Sequence, residues 1–189
     1  MRRIVNSTYI TLDGVIQNPD WPSNGIEPDG TALKVQTDLL FACDAVLMGR
    51  HTYEGFAPAW MPRSGDPYSD RINSMTKYVV SSTLRDPKWN NTTVINGDPI
   101  AEIRRLREQP GLDIVQYGFG QLSYALLEHG LLDELRLWVH PLFAGQATTE
   151  DLLFRPTATA LFELTGTLTL NTGTVILTYR ASPRGDGGH

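Results

Sequence analysis

The sequence predicts an α/β fold in which a mixed, mostly parallel sheet is flanked by helices and ends in a C-terminal antiparallel hairpin. Short apolar runs alternate along the chain with segments of helical spacing, and several runs end at glycine or hydroxyl residues. That order is typical of parallel strands joined by helices. Near the C-terminus, two strand-like runs flank Asn171-Thr172-Gly173, which indicates the hairpin.

The first half of the chain contains three predicted strands and one predicted helix. The strands are residues 4–12, 45–48 and 77–80, and the helix runs from Thr31 to about Cys43. The first strand ends at the turn pair Asp13-Gly14. Apolar residues at spacings of three and four indicate the helix, and the continuous apolar run 45–48 is typical of a strand buried on both faces.

The second half adds strands and helices in the same alternation. Strands are predicted at 92–95, 114–117 and 134–140, helices at 99–107 and 121–129, and the hairpin at 161–180. Asp98-Pro99 is typical of an N-cap followed by a first-turn proline, and Gly130 of a helix stop. Residues 182–189 are polar and glycine-rich, so we expect one domain over 1–181 and a flexible tail.

Composition excludes several classes of protein. With 189 residues, 41% of them apolar and 20% charged, the chain is a folded domain of ordinary size. A net charge of −5 without a basic stripe argues against nucleic-acid binding. The absence of any apolar run of about 18 residues argues against a membrane span.

Cysteine and histidine usage bears on location and metals. Cys43 is the only cysteine, which rules out an internal disulfide and a multi-cysteine zinc site. The four histidines have no ligand spacing, so we expect no metal. The first residues lack the apolar stretch of a signal peptide, and the sequence therefore favours a cytoplasmic protein.

Three loops at predicted strand ends carry candidate binding residues: Gly49-Arg50, Ser81-Ser82 and Gly118-Phe119-Gly120. Loops at the carboxyl ends of parallel strands gather at one edge, so these three could converge on one anion. Gly118-x-Gly120 lies between a strand and a helix, where backbone N–H groups and the helix dipole favour a pyrophosphate. The alternative is that both glycines serve only the turn.

The residues around Arg50 allow two interpretations. The planar guanidinium of Arg50 and the hydroxyl of Thr52 suit a 2'-phosphate. Alternatively, Arg50 pairs with Glu54 one helical turn away and Thr52 acts as a local cap. Ser81-Ser82-Thr83 taken alone is typical of an ordinary turn.

Five segments together resemble a known superfamily. Residues 48–54, Met-Gly-Arg-His-Thr-Tyr-Glu, resemble the NADPH-binding turn of dihydrofolate reductases, and residues 79–84, Val-Val-Ser-Ser-Thr-Leu, their second 2'-phosphate loop. Residues 9–14, 117–122 and 133–141 are similar to the reductase domain of riboflavin biosynthesis, the RibD C-terminal type. The five occur in the family's order between about residues 3 and 180.

This resemblance implies a dihydrofolate reductase-like fold, NADPH as cofactor, and a role for each matching position. The adenosine end would be held by Gly49, Arg50, Thr52, Ser81 and Ser82, and the pyrophosphate by Gly118, Phe119, Gly120, Gln121 and Leu122. Trp21 would lie over the nicotinamide. Tyr117 stands where riboflavin reductases carry a substrate-contacting glutamate, and Asp13 is the polar catalytic candidate.

The implied function is an NADPH-dependent oxidoreductase acting on a pyrimidine or pteridine-like heterocycle. The family-level activity is reduction of 5-amino-6-(5-phosphoribosylamino)uracil in riboflavin biosynthesis. One alternative is reduction of dihydrofolate or a pterin, and another is a non-catalytic NADP-binding protein. Family habit and exposed edge strands at the hairpin favour a homodimer.

Overall fold

One sheet organises the part of the chain that the computed structural model describes, residues 1–17, 19–21, 25–145, 147–156 and 159–182. Within these residues its strands are β1 Ile4–Thr11, β2 Cys43–Gly49, β3 Thr76–Val80, β4 Thr92–Ile95, β5 Asp113–Tyr117, β6 Glu134–His140, β7 Phe162–Thr169 and β8 Val175–Ala181. Their order across the sheet is β4-β3-β2-β5-β1-β6-β8-β7. Apart from Ser182, the predicted tail lies outside the described residues.

Six neighbouring strands of the sheet run parallel, and the hairpin reverses direction at one side. All pairings from β4 to β6 are parallel, whereas β8 pairs antiparallel with both β6 and β7. The predicted mixed, mostly parallel sheet with a C-terminal antiparallel hairpin is therefore confirmed.

Helices cover both faces of the parallel strands. They are α1 Thr31–Phe41, α2 Arg50–Trp60, α3 Pro67–Ser74, α4 Pro99–Glu108 and α5 Gln121–Glu128. One face packs α1, α2 and α3 against Val46 and Val115, and the other packs α4 and α5 against Leu47 and Ile114. The central strands are buried on both faces, as their continuous apolar runs predict.

Local capping signals set the helix boundaries. The Asp98 carboxylate accepts hydrogen bonds from the N–H groups of Ile100 and Ala101, so α4 begins where the Asp-Pro pair predicts. α3 was not predicted. It starts at Pro67 behind the Asp66 N-cap and is too short to show a periodic apolar pattern.

Ion pairs join the sheet at the amino ends of its strands. Arg2 pairs with Asp44, and the Arg3 guanidinium lies 2.6 Å from Asp113. These contacts connect the start of β1 to the starts of β2 and β5, three strands that are remote from one another in sequence.

Lys77, on β3, is a buried cation. Its side chain is fully inaccessible, and its Nζ donates to the backbone oxygens of Asn73 at 2.6 Å and Asn90 at 3.2 Å. The Trp89 ring centroid lies 4.6 Å away, and no carboxylate among the described residues pairs with the ammonium. Burial lowers the pKa of Lys77 to about 8.

Replacing Lys77 with methionine is expected to flatten the rise of unfolding free energy between about pH 8 and about pH 10. The unfolded chain keeps this lysine protonated up to its ordinary pKa of about 10.4, whereas the folded protein loses the proton near pH 8. The stability of the native protein therefore increases across that window. Urea denaturation of both proteins at several pH values measures the two slopes.

Lys34→Met is the matched control, because Lys34 is an exposed lysine on α1 and should keep the native slope. Identical slopes for the native protein and Lys77→Met would show that Lys77 stays charged in the folded state.

Candidate functional site

The three predicted binding loops lie side by side at the carboxyl edge of the sheet. β2 lies between β3 and β5, and Gly49 at the end of β2 is in register with Val80 at the end of β3. The loops after β2 and β5 are also close: a Cβ atom placed on Gly118 would lie 3.9 Å from Thr52 Oγ1. The structure thus brings together the loops that begin at Gly49, Ser81 and Gly118.

Two helices begin at this edge without a side-chain cap. Gly49 is the N-cap of α2 and Gly120 the N-cap of α5, and neither helix has a capping side-chain hydrogen bond or an acidic residue in its first turn. In α5 the Ser123 N–H already donates to the Gly120 oxygen at 3.0 Å, and the earlier N–H groups and the positive ends of both helix dipoles are available to an anion.

The backbone conformation at positions 49 and 120 does not require glycine. Their φ values of −82° and −97° suit any residue, and a Cβ atom placed on either would have no described neighbour within 4 Å. The open space beside them fits a phosphate that approaches the backbone closely. Gly118 differs, because its φ of 74° is in the left-handed region that favours glycine.

A buried amide network holds the Gly118 peptide. Asn6 is fully buried on β1, and its Nδ2 donates to the Gly118 oxygen at 2.7 Å and to Gln116 Oε1 at 3.0 Å. Ser123 Oγ also donates to the Gly118 oxygen, at 3.3 Å. Asn6 is therefore a positioning residue that the sequence analysis missed. Its only signal in the sequence is an amide side chain inside a predicted strand.

Arg50 and Thr52 occupy the first turn of α2. The Arg50 guanidinium lies 3.4 Å from Glu54 Oε1, so the alternative helical pairing exists in the structure. The Arg50 side chain is nevertheless 42% exposed beside the open edge, and a surface pair of this kind is weak enough for a phosphate to compete. Both interpretations of Arg50 are thus compatible with the structure.

The two serines of the second loop differ in role. Ser81 is buried, and its Oγ accepts hydrogen bonds from the N–H groups of Thr83 at 3.1 Å and Leu84 at 2.9 Å. It shapes the turn, whereas the exposed Ser82 remains accessible to a ligand.

The third loop can reach a cofactor mainly through its backbone. Phe119 is buried in the core with its ring 4.9 Å from Tyr124, and Leu122 packs against the same cluster. Gln121, the first residue of α5, is exposed. The predicted contacts of Phe119, Gln121 and Leu122 with the pyrophosphate stay predictions.

Tyr117 points into the core beneath α2 and α3. Its hydroxyl lies 3.1 Å from the Tyr68 hydroxyl, and its ring lies 5.4 Å from Phe56. Burial raises the pKa of Tyr117 well above its ordinary value, which keeps the phenol protonated. The predicted contact between Tyr117 and substrate stays a prediction.

The Asp13 carboxylate joins two loops through hydrogen bonds. Its carboxylate accepts hydrogen bonds from Thr11 Oγ1 and from the N–H groups of Ala144 at 3.1 Å and Gly145 at 2.9 Å. The hydrogen bond from Thr11 is the main cause that lowers the pKa of Asp13, to about 2. The group is ionised at neutral pH, and its predicted catalytic role stays a prediction.

A second region lies where β1 and β6 end. The rings of Trp21 and Tyr9 both lie against His140, at centroid distances of 5.3 and 4.9 Å, and Tyr9 lies 5.4 Å from Trp138. These four side chains line a cavity of about 230 Å³, whose far wall includes Thr174 from the β7–β8 hairpin. We call it the aromatic cavity.

Two further findings concern metals and membranes. Across residues 1–17, 19–21, 25–145, 147–156 and 159–182, no three His, Cys, Asp or Glu side chains come together as ligands for a metal ion. In the same residues, no helix has the length and apolar character needed to cross a bilayer.

The fold and the two regions define an α/β protein of the dihydrofolate reductase type, with two uncapped helix N-termini at one sheet edge beside an aromatic cavity. The chain belongs to the RibD C-terminal domain family, whose model matches residues 2–176. The family and fold predicted from the sequence are thereby confirmed.

Relatives cover nearly the whole chain. The uncharacterized protein YyaP of Bacillus subtilis strain 168 is 29% identical over 187 residues, which are 94% of each chain. A Shewanella sp. PV-4 crystal structure assigned to riboflavin biosynthesis shares the fold, with a TM-score of 0.70, 18% identity and coverage of 97% and 100%. A Thermotoga maritima pyrimidine deaminase and 5-amino-6-(5-phosphoribosylamino)uracil reductase gives a TM-score of 0.65 at 16% identity. The match covers 96% of this chain and 57% of the Thermotoga chain.

Serine at position 118 is expected to destabilise the protein by about 1–2 kcal/mol, because a side chain at a left-handed φ is strained. Serine at position 120 should leave stability equal or higher, since the backbone there suits any residue and serine is a favoured N-cap. Urea unfolding of Gly118→Ser and Gly120→Ser measures the difference. Equal losses in the two variants would contradict the distinction between the glycines.

Proposed function

We propose that this protein is an NADPH-dependent reductase of a pyrimidine or pteridine-like heterocycle. The observation that carries the proposal is the pair of uncapped helix N-termini at Gly49 and Gly120, side by side at the edge where both glycines leave open space. Membership of the RibD C-terminal domain family supports a reductase, and the activity for which the Thermotoga relative is named supports a pyrimidine as substrate.

Different residues of the chain would bind different parts of the cofactor. Backbone N–H groups at the start of α5 would bind the pyrophosphate, and Asn6 would hold the Gly118 peptide in place for it. Arg50, with Thr52 and Ser82 nearby, would bind the 2'-phosphate and so select NADPH over NADH. NADPH supplies a hydride when bound.

The sheet geometry connects the cofactor edge to the aromatic cavity. Neighbouring strands are about 4.8 Å apart and successive residues about 3.3 Å, so two strand spacings and the four-residue offset between Tyr117 and His140 separate the ends of β5 and β6 by about 16 Å. A dinucleotide bound along the ends of β3, β2 and β5 would extend toward β1, where Tyr9 begins the cavity wall. A reductase needs the hydride donor and acceptor aligned at contact distance, and this placement would allow it.

Arg50→Ala is expected to remove most of the preference for NADPH. Loss of a charge-assisted pair to the 2'-phosphate should weaken NADPH binding about 10–100-fold and leave NADH binding within about twofold. Calorimetric titration with both nucleotides at one ionic strength measures the two affinities. Arg105→Ala is the matched control, because Arg105 is also an exposed helical arginine paired with a glutamate, 2.5 Å from Glu102.

Gly120→Ser adds a second test at the pyrophosphate. Because this variant should fold normally, weaker binding of both nucleotides would locate the phosphates at α5. Equal affinity of the native protein for NADPH and NADH would contradict the assignment of Arg50 to the 2'-phosphate. No binding of either nucleotide would overturn the proposed function.

Turnover separates the reductase from the two alternatives. Loss of NADPH absorbance with a uracil derivative supports the family-level activity, and loss with dihydrofolate or a pterin supports the other enzyme. Selective NADPH binding without oxidation of the cofactor by any of these compounds favours the non-catalytic NADP-binding protein.

We also propose that the protein is a homodimer, and the exposed edge strand of the C-terminal hairpin supports this. β7 is an edge strand, and Leu161, Leu164 and Leu168 are 79%, 51% and 41% exposed along it. Light scattering is expected to give twice the chain mass for the native protein and the monomer mass for a Leu164→Lys, Leu168→Lys variant. A monomeric native protein would contradict the proposal.

A further inference from the structure

The aromatic cavity has walls without formal charge. Its described lining residues are aromatic, aliphatic, proline, threonine and histidine side chains, with Tyr9, Trp21 and Trp138 as the largest surfaces. Flat aromatic walls suit a planar ligand, which they contact by stacking or edge-to-face packing. The volume of about 230 Å³ is below the range typical of drug-sized ligands, which favours one ring system rather than a whole nucleotide.

His140 brings an unpaired polar atom to this cavity. Its Nε2 is buried and has no hydrogen-bond partner among the described residues, while its Nδ1 lies 3.5 Å from Thr174 Oγ1. A buried polar atom without a partner is unfavourable, so the site is more stable when a ligand supplies one. His140 lines the cavity, but its Nε2 is shielded from solvent, so a ligand bound in the cavity would reach this atom after a rotation of the ring.

The imidazole of His140 is neutral in this environment. Burial lowers its pKa from the ordinary value, so at neutral pH the ring carries one proton and one lone pair. Nε2 can then either donate to a carbonyl oxygen or accept from a ring N–H. A lactam edge, in which C=O and N–H are adjacent, offers a partner in either case.

The structure also argues against a phosphate in this cavity. No lysine or arginine is among its described lining residues. α1 begins beside it, near Ala32, but the Asp29 carboxylate already accepts from the Thr31 N–H at 2.8 Å. A phosphate at that helix terminus would meet a negative charge instead of free donors.

We infer that the aromatic cavity binds the hydride acceptor as an uncharged, planar heterocycle with a lactam edge and no phosphate, and that His140 Nε2 recognises that edge. The assignment of this ligand as hydride acceptor rests on the proposed function. The inferred substrate class differs from the phosphoribosyl compound in the name of the Thermotoga relative. It follows from the side chains of this cavity and not from membership of the family.

Calorimetric titration with uracil, lumazine and pterin, and with uridine 5'-monophosphate, which carries the uracil base on a phosphorylated ribose, tests this inference. Each titration is run with the cofactor site empty and with NADP⁺ present. We expect at least one neutral heterocycle to bind and uridine 5'-monophosphate to bind at least about tenfold more weakly than uracil.

Two variants test the role of His140. His140→Phe keeps a ring against Tyr9 and Trp21 but removes both nitrogens. It should lower the affinity for the heterocycle about tenfold. His140→Asn keeps a polar group and should lose less affinity, which separates recognition of the ligand from loss of packing. His129→Phe is the control, since His129 is an exposed histidine at the end of α5. Circular dichroism confirms that each variant is folded.

The outcomes distinguish this inference from the proposed function. Selective NADPH binding without binding of any neutral heterocycle overturns the inference alone, as does equal or tighter binding of uridine 5'-monophosphate. Heterocycle binding without NADPH binding overturns the proposed function and leaves the cavity assignment standing. Unchanged affinity in a folded His140→Phe overturns the recognition by His140.

Discussion

The parallel alignment of neighbouring strands is the constraint on which the rest of this structure depends. After each parallel strand the chain must cross back to the opposite edge of the sheet before the next strand begins, so the loops that follow β2, β3 and β5 emerge at the same edge. Helices on both faces exclude water from the central strands, and polar recognition is left to the strand ends. The glycine loops lie close together because they follow neighbouring parallel strands, β2 and β5.

The two regions of this edge differ in the groups that they offer to a ligand. At the ends of β2 and β5, donors are backbone N–H groups and helix dipoles, which suit the charged and chemically constant phosphates of a nucleotide. At the ends of β1 and β6, rings and a neutral imidazole form the walls. The first region depends little on side-chain identity, whereas the second depends on it entirely.

The sequence predicted the eight strands and three of the five described helices because their signals are local, whereas the order of the strands across the sheet and the helices α2 and α3 were not predicted. Apolar runs mark strands buried on both faces, and Asp98 and Gly120 mark helix starts. Side-chain direction at the site was harder to predict. The motif resemblance assigned Tyr117 to the substrate, which stays a prediction, and it gave no indication that the Tyr117 ring lies in the core beside Tyr68. Nothing in the sequence near Tyr117 specifies which face α3 covers.

The aromatic cavity could not be predicted for a related reason. His140, Trp21 and Thr174 come from three segments far apart in the chain, so no spacing links them. Asn6 was missed because its role depends on a carbonyl that is 112 residues away in sequence. Contacts of this kind become visible only when strand register is known.

The opposite placement of ion pairs and binding loops has a consequence for evolution of the protein. Arg2, Arg3, Asp44 and Asp113 tie the strands together at their amino ends, whereas Trp21, His140 and the glycine loops lie at their carboxyl ends. Substitutions around the cavity therefore leave the amino-end contacts intact, because sites this far apart contribute to stability nearly additively. Exposed positions of these loops can thus change while the ion pairs hold the strands together, whereas Gly118, with its left-handed φ, must stay glycine for full stability.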